Sequence, residues 1–465
     1  MASPREILLI VTLVLSVTAT FIALMAPLDP NQPLATALVA GALMLLAAYA
    51  YARKNTAAGP VLTLLLWIGL LGGLTLRALS FWPEAAVFMS LGFDLFSGQA
   101  LLNGWNPYLF TADELLGGGL RVGDAALERA RGGIAASPPL SEWLAQVAPT
   151  DARPSTPLLT LPFLALAQQL TPGGALGWYG ILLISDLVTL GLLAVLLLRT
   201  GVALGWLLLF WLNPIWLTGV FAPAAPLALL GPVILLALWA SISERAALLG
   251  LLLAVAAALN LWLAALLPLF LRSAGRRPLA WRRAAYGLVG FVLVFGMLLG
   301  LHLAFGAPLH WFGGLSVSGP AAGTSVGQLF AIDAEGLIGG LSRFAAAVWV
   351  MMLIASGLAL AWPPLPDQAQ RTIRAGLLGF LAFFLTTQMQ PQGLLVLVIV
   401  LPLARSPALV LAAGFGTLVT ALSSLSPALA GLSPEMTARL GVGLVLIALF
   451  VFAWFTSVRR NQALE

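Results

Sequence analysis

Runs of about 20 apolar residues recur along this chain, and each is long enough for a helix to cross the hydrocarbon core of a bilayer. They fall near 6–27, 33–52, 60–82, 176–198, 201–219, 224–242, 284–304, 343–362, 373–389, 392–404, 407–423 and 437–457. A spanning segment must satisfy its own backbone hydrogen bonds, which leaves helices or a closed barrel. The runs have helical length, so the expected fold is an all-α polytopic membrane bundle of about twelve helices. Two further pieces do not fit as single spans. The segment 157–170 is too short, and 244–271 is interrupted at Asn260 and Pro268. Both suit re-entrant or juxtamembrane half-helices.

A soluble globule with 61% hydrophobic and 8% charged residues and a mean hydropathy of +1.02 would aggregate, so composition agrees with the runs. Cysteine is absent and only two histidines occur, which excludes disulfides and Cys-built metal sites. The basic balance, a net charge of +5, does not signal nucleic acid. Its arginines gather at the ends of the apolar runs, as topology signals do. With a cytoplasmic amino terminus and those two pieces non-crossing, Arg5, Arg53, Lys54, Arg199, Arg245, the 272–283 group, Arg371, Arg374, Arg405, Arg459 and Arg460 share the cytoplasmic side. Both termini are then cytoplasmic, and the first run reads as a signal anchor. Arg77, Arg121, Arg129, Arg131, Arg153, Arg343 and Arg439 lie outside or near the external face. Arginine usage favours a bacterial inner membrane as the address.

The same topology puts the long polar segment 83–156 outside the cytoplasm. Loops of that length usually carry function. Its first part, 84–102, places Phe88, Leu91, Leu95, Phe96, Ala100 and Leu102 against Ser90, Asp94, Gln99 and Asn103 at helical spacing, predicting an amphipathic helix lying on the membrane surface. A Gly104-Trp105-Asn106-Pro107-Tyr108 turn follows. A second external loop, about 305–342, holds His310, Trp311, Asp333 and Glu335.

That turn resembles the Gly-x-Asn-Pro-Tyr-like turn after a surface helix in GT-C membrane glycosyltransferases, especially the bacterial polyprenyl-phosphate-mannose-dependent type. Trp143 to Val147 followed by Ser155-Thr156-Pro157-Leu158 resembles the family's Trp stretch before its Tyr-Pro-Pro-Leu segment. Leu212-Asn213-Pro214 is similar to the Leu-Asn-Pro that ends one of its helices, Asn260 to Pro268 to its Lys-containing broken helix, and Gln390-Pro391-Gln392 to its Pro-Trp-Tyr. The order and spacing agree over roughly 60–405. Two amino-terminal helices (1–58) and a carboxy-terminal pair with a cytoplasmic tail (406–465) flank that core (59–405).

The resemblance implies transfer of a sugar, mannose or another hexose, from a polyprenyl-phosphate donor at the external face. A carboxylate would act as base on an acceptor hydroxyl, with or without a divalent cation. This sequence departs from the family at its chemical positions: Ser90 occupies the slot of the catalytic Asp, Asn260 that of the Lys, and Phe221 to Pro226 carries no acid or imidazole. A base must then come from other external acids. Asp94, one turn after Ser90 on nearly the same helix face, is the first choice and Glu84 the second, with Asp113 and Glu114 behind. For each, the competing reading is a solvated acid on a polar loop.

Ser90, Asn106, Tyr108, Arg153, Asn213, Asn260 and Trp311 complete the expected substrate-binding set; Arg153 suits a phosphate, and Trp105 or Trp311 a sugar face. Asp186, inside a span, is expected to pack against a helix partner in preference to relaying protons. His302 is expected to be a satisfied interfacial histidine. Expected partners are the polyprenyl-phosphate sugar, membrane lipids and a membrane-complex partner, with no nucleic acid. Two alternatives stay open: a catalytically degenerate homologue serving as a structural or lipid-binding subunit, and a transporter, disfavoured because the spans carry few charges to couple ions.

Overall fold

A computed structural model describes residues 60–79, 89–109, 156–172, 174–213, 224–260, 280–306 and 399–404, with isolated positions between them. Among these residues the chain is all-helical, without a strand. Eight α-helices are described: α1 (Pro60–Leu79), α2 (Met89–Leu102), α3 (Leu161–Leu170), α4 (Leu176–Arg199), α5 (Leu207–Trp211), α6 (Leu230–Ile242), α7 (Ala246–Leu259) and α8 (Ala280–Ala304). Two stretches among the described residues, Leu176–Arg199 and Arg282–Ala304, are long and apolar enough to cross a membrane.

Three segments differ from the sequence reading. The segment 201–219 is not one helix. Leu204–Trp206 is a 3-10 turn, α5 stops at Trp211, and Leu212 and Asn213 form a turn. The preceding Gly201, at φ 64°, closes α4 in a left-handed conformation that glycine adopts without steric cost. The 224–242 piece is a 3-10 turn, Pro226–Leu229, running into α6, shorter than a full span. Finally, α2 is not a surface helix. Its apolar residues Leu91, Leu95, Phe96 and Ala100 and its polar Asp94 and Ser97 are all buried. A Cβ on Gly98 would stand 2.6 Å from the Leu164 backbone of α3, so the two helices meet backbone to backbone and the Asp94 side of the expected outer face is interior.

α3 spans only ten residues, and α7 breaks at the expected Asn260, which turns extended at φ −148°, ψ 103°. α7 lies parallel to α8 at very short range. A Cβ on Gly250 would meet the Gly287 carbonyl at 1.9 Å, and one on Gly290 the Ala247 carbonyl at 2.8 Å. Small residues permit such approach, which gains dispersion contacts where lipid offers no hydrophobic drive. Farther along the pair, Ala258 and Leu298 form a buried contact, against which Leu159 packs.

A polar knot ties α1, α4 and α5 together. Arg77 Nε donates to Asp186 Oδ2 at 2.7 Å, and Arg77 Nη1 donates to the Trp211 carbonyl at 2.8 Å and the Gly73 carbonyl at 3.2 Å. Trp216 Nε1 reaches both Asp186 oxygens at 3.0 Å. The Arg77 guanidinium lies 3.7 Å from the Trp211 ring centroid, whose Nε1 donates to Leu70 O. Buried charges persist only when paired and bonded in this way. Asp186 therefore has the packing role expected of it. Arg77, read from sequence as an external topology signal, is its fully buried partner.

Candidate functional site

The end of α2 is set by a six-to-one and five-to-two pair of backbone bonds. Trp105 N–H donates to Ala100 O at 3.1 Å and Gly104 N–H to Leu101 O at 3.0 Å, with Gly104 at φ 76°. This Schellman closure turns the chain back, and Trp105 packs edge-on against Phe96, centroids 5.7 Å apart. Trp105 is thereby buried in the fold and does not present the free ring that a sugar-stacking role needs.

After the closure, Asn106 does two things. Its Oδ1 accepts the Tyr108 N–H at 2.9 Å, forming an Asx turn, and its Nδ2 donates to the Phe305 carbonyl just beyond α8. Pro107 favours this bend because its φ is preset. Tyr108 is thus delivered inward, where Leu161 packs on it and its hydroxyl donates to the Thr156 carbonyl at 2.6 Å.

Thr156 closes the cluster from the other side. Its hydroxyl donates to Asp94 Oδ1 at 2.6 Å and lies 3.4 Å from Ser97 Oγ. Asp94 and Ser97, three apart on α2, share the face that meets Thr156. Asp94 is 9% exposed and carries no cationic partner among the described residues. Burial pushes its carboxyl up to about 7, more than the Thr156 hydrogen bond lowers it. Burial, and then the neighbouring Asp94 charge, also raise the Tyr108 phenol above its ordinary value. The fully buried His302 of α8 stands beside Tyr108, ring centroids 6.1 Å apart.

The structure thus joins Asp94, Asn106 and Tyr108 from the expected set, and overturns the reading of Asp94 as a solvated surface acid. It places Asn213 elsewhere: its Oδ1 accepts the Trp216 N–H at 3.3 Å, beside the Arg77–Asp186 knot. Asn260 caps the carboxy end of α7, its N–H on Ala256 O. Ser90 lies within α2, its side chain outside the described residues, as are Glu84, Arg153 and Trp311 altogether. Ser97, Thr156 and His302 are members the sequence did not select. The i, i+3 spacing of Asp94 and Ser97 was a usable signal; the approach of Thr156 from 62 residues away was not.

A carboxyl titrating near neutrality can exchange a proton under physiological conditions, which is the chemical capacity of this cluster. The described site supplies one carboxylate and neutral hydroxyls, too few anionic ligands to hold a divalent cation by itself. Among the described residues, fold and site together define an all-helical protein with two membrane-length helices and a buried carboxyl, Asp94, on the helix that the Gly104 turn closes. No known protein family, characterised protein or solved structure matches the chain.

Proposed function

We propose that the chain is a multi-pass inner-membrane glycosyltransferase of the GT-C type, with about twelve crossings, and that Asp94 is its general base. The observation that carries this reading is the Asp94 carboxyl held near neutral pKa beside the Gly104 to Tyr108 turn. A base works best when its pKa lies near the working pH. In the step proposed, an acceptor hydroxyl gives its proton to Asp94 as its oxygen bonds to the sugar anomeric carbon. The bond from that carbon to phosphate breaks, and the polyprenyl phosphate leaves with the electron pair. Exposed side chains on α4 and α8, such as Ile184, Val188, Val292 and Leu293, suit contact with lipid chains.

A second reading has its own observation. Thr156 already occupies Asp94 Oδ1, and the surrounding Ser97 and Tyr108 are fully buried, as suits a carboxyl that organises a structural or lipid-binding subunit. Transfer from a radiolabelled polyprenyl-phosphate sugar to a membrane acceptor extract separates the two. Product that disappears in Asp94→Asn supports the enzyme; no transfer or donor hydrolysis by folded protein, across several donors, supports the subunit.

A further inference from the structure

The far ends of α4 and α8 from Asp94 hold a second charged assembly. There α4 terminates at Arg199, the α6–α7 turn carries Glu244 and Arg245, and α8 begins near Arg282 and Arg283. Glu244 has φ 57°, unusual for a side-chain-bearing residue, and pairs with Arg283 across the gap between α7 and α8. The acid of this turn is therefore committed. Arg199 and Arg245, both exposed, have no carboxylate partner among the described residues. Instead both guanidiniums are gathered on one ring, that of Trp239, at 6.0 Å and 4.8 Å from its centroid.

Placement says what such a pair would meet. Immediately next to Arg199, the exposed Leu198 and Val195 continue down α4 as an apolar strip. Opposite them in sequence direction, Tyr286, Leu288 and Val289 are exposed within the first turns of α8. Cations at the end of a membrane-length helix, over an apolar strip, match a molecule with an anionic head and hydrocarbon tails. A tryptophan at that depth is at home in the headgroup layer and braces the guanidiniums by cation–π attraction.

We propose that Arg199, Arg245 and Trp239 form a binding site for the phosphate of an anionic phospholipid at the cytoplasmic face. The site rests on the membrane placement of α4 and α8 given above, and not on the chemistry at Asp94. Each interfacial arginine strengthens binding to anionic lipid about fivefold, so the pair gives about 25-fold.

The test uses the full-length protein in nanodiscs of mixed phosphatidylglycerol and phosphatidylcholine, with bound lipid identified by native mass spectrometry. Wild type should retain phosphatidylglycerol over phosphatidylcholine, and the Arg199→Gln/Arg245→Gln variant should lose that preference by an order of magnitude. Trp239→Leu keeps both charges and the apolar bulk, and should lose part of it. This second variant preserves a reading if the double variant does not fold. Unchanged selectivity in the variants overturns the proposal. So does displacement of the lipid by millimolar inorganic phosphate, which would mark a soluble-anion site. Extraction of the protein from membranes by alkaline carbonate would overturn the membrane placement itself, whereas loss of sugar transfer with lipid selectivity intact would bear only on Asp94.

Discussion

Thr156 hands its hydroxyl hydrogen to Asp94 Oδ1 at 2.6 Å, joining α2 to the segment that enters α3. The same residue's carbonyl takes the Tyr108 hydroxyl, so one threonine holds both the acid and the turn that follows its helix. Tyr108 in turn meets His302, and Asn106 meets Phe305, which couples this cluster to the end of α8.

If Asp94 is the base, transfer rises with pH through about 7 as its carboxyl ionises. Thr156→Val removes the one bond that favours the charged form, and moves this limb to higher pH with the fold retained. A pH profile of kcat/KM for both proteins checks the direction; a limb that stays in place removes Thr156 from the role.

Stability carries the same titration with opposite sign. Asp94 binds its proton more tightly folded than unfolded, so its contribution is complete below about pH 4 and declines as pH rises through about 7. Unfolding in detergent should show this fall between pH 4 and 7, and Asp94→Asn should flatten it. A wild type and variant with parallel pH curves would contradict the buried carboxyl.

The Arg77–Asp186 pair is expected to behave asymmetrically. Asp186→Leu or Arg77→Met alone leaves a buried charge and costs about 3–5 kcal/mol, whereas the two substitutions together are close to neutral. Thermal unfolding of the two singles and the double completes the cycle; additive losses would show that the two act separately.

Helix α7 should tolerate no bulk at Gly250. A valine there would collide with the Gly287 carbonyl, so Gly250→Val costs about 1–3 kcal/mol or separates α7 from α8. Cross-linking between cysteines introduced on the two helices would report the separation, and unchanged cross-linking and melting would refute it.

Gly104→Ala is milder. The left-handed φ of 76° costs an alanine about 1 kcal/mol, while no neighbouring atom lies within 4 Å of the added Cβ. A drop in melting temperature without loss of the Trp105 fluorescence environment is the expected result; a large unfolding would place a contact where the structure shows space.

Several elements were legible along the chain because they depend on local pattern alone. The helical class, the two long apolar helices, the break at Asn260 and the turn at Gly104 follow from hydropathy, helix propensity and φ preference within a few residues. The Asn106–Pro107–Tyr108 bend belongs with them. The two-sided burial of α2 was not legible, because its amphipathic spacing describes a surface helix equally well. Only the approach of Leu164 to Gly98 puts the Asp94 and Ser97 side of that helix in the interior.

Among the described residues, the sequence by itself determined the two long apolar helices, the helix ends at Gly104 and Asn260, and that Asp94 lies near a turn of polar residues. Tertiary structure alone decided that Asp94 faces Thr156, that Arg77 finds Asp186 109 residues away, and that Arg199 and Arg245 share the Trp239 ring. The reason is physical. Helix formation responds to neighbours three and four residues apart, whereas a carboxyl's acidity and an arginine's partner depend on desolvation and charge brought together by packing.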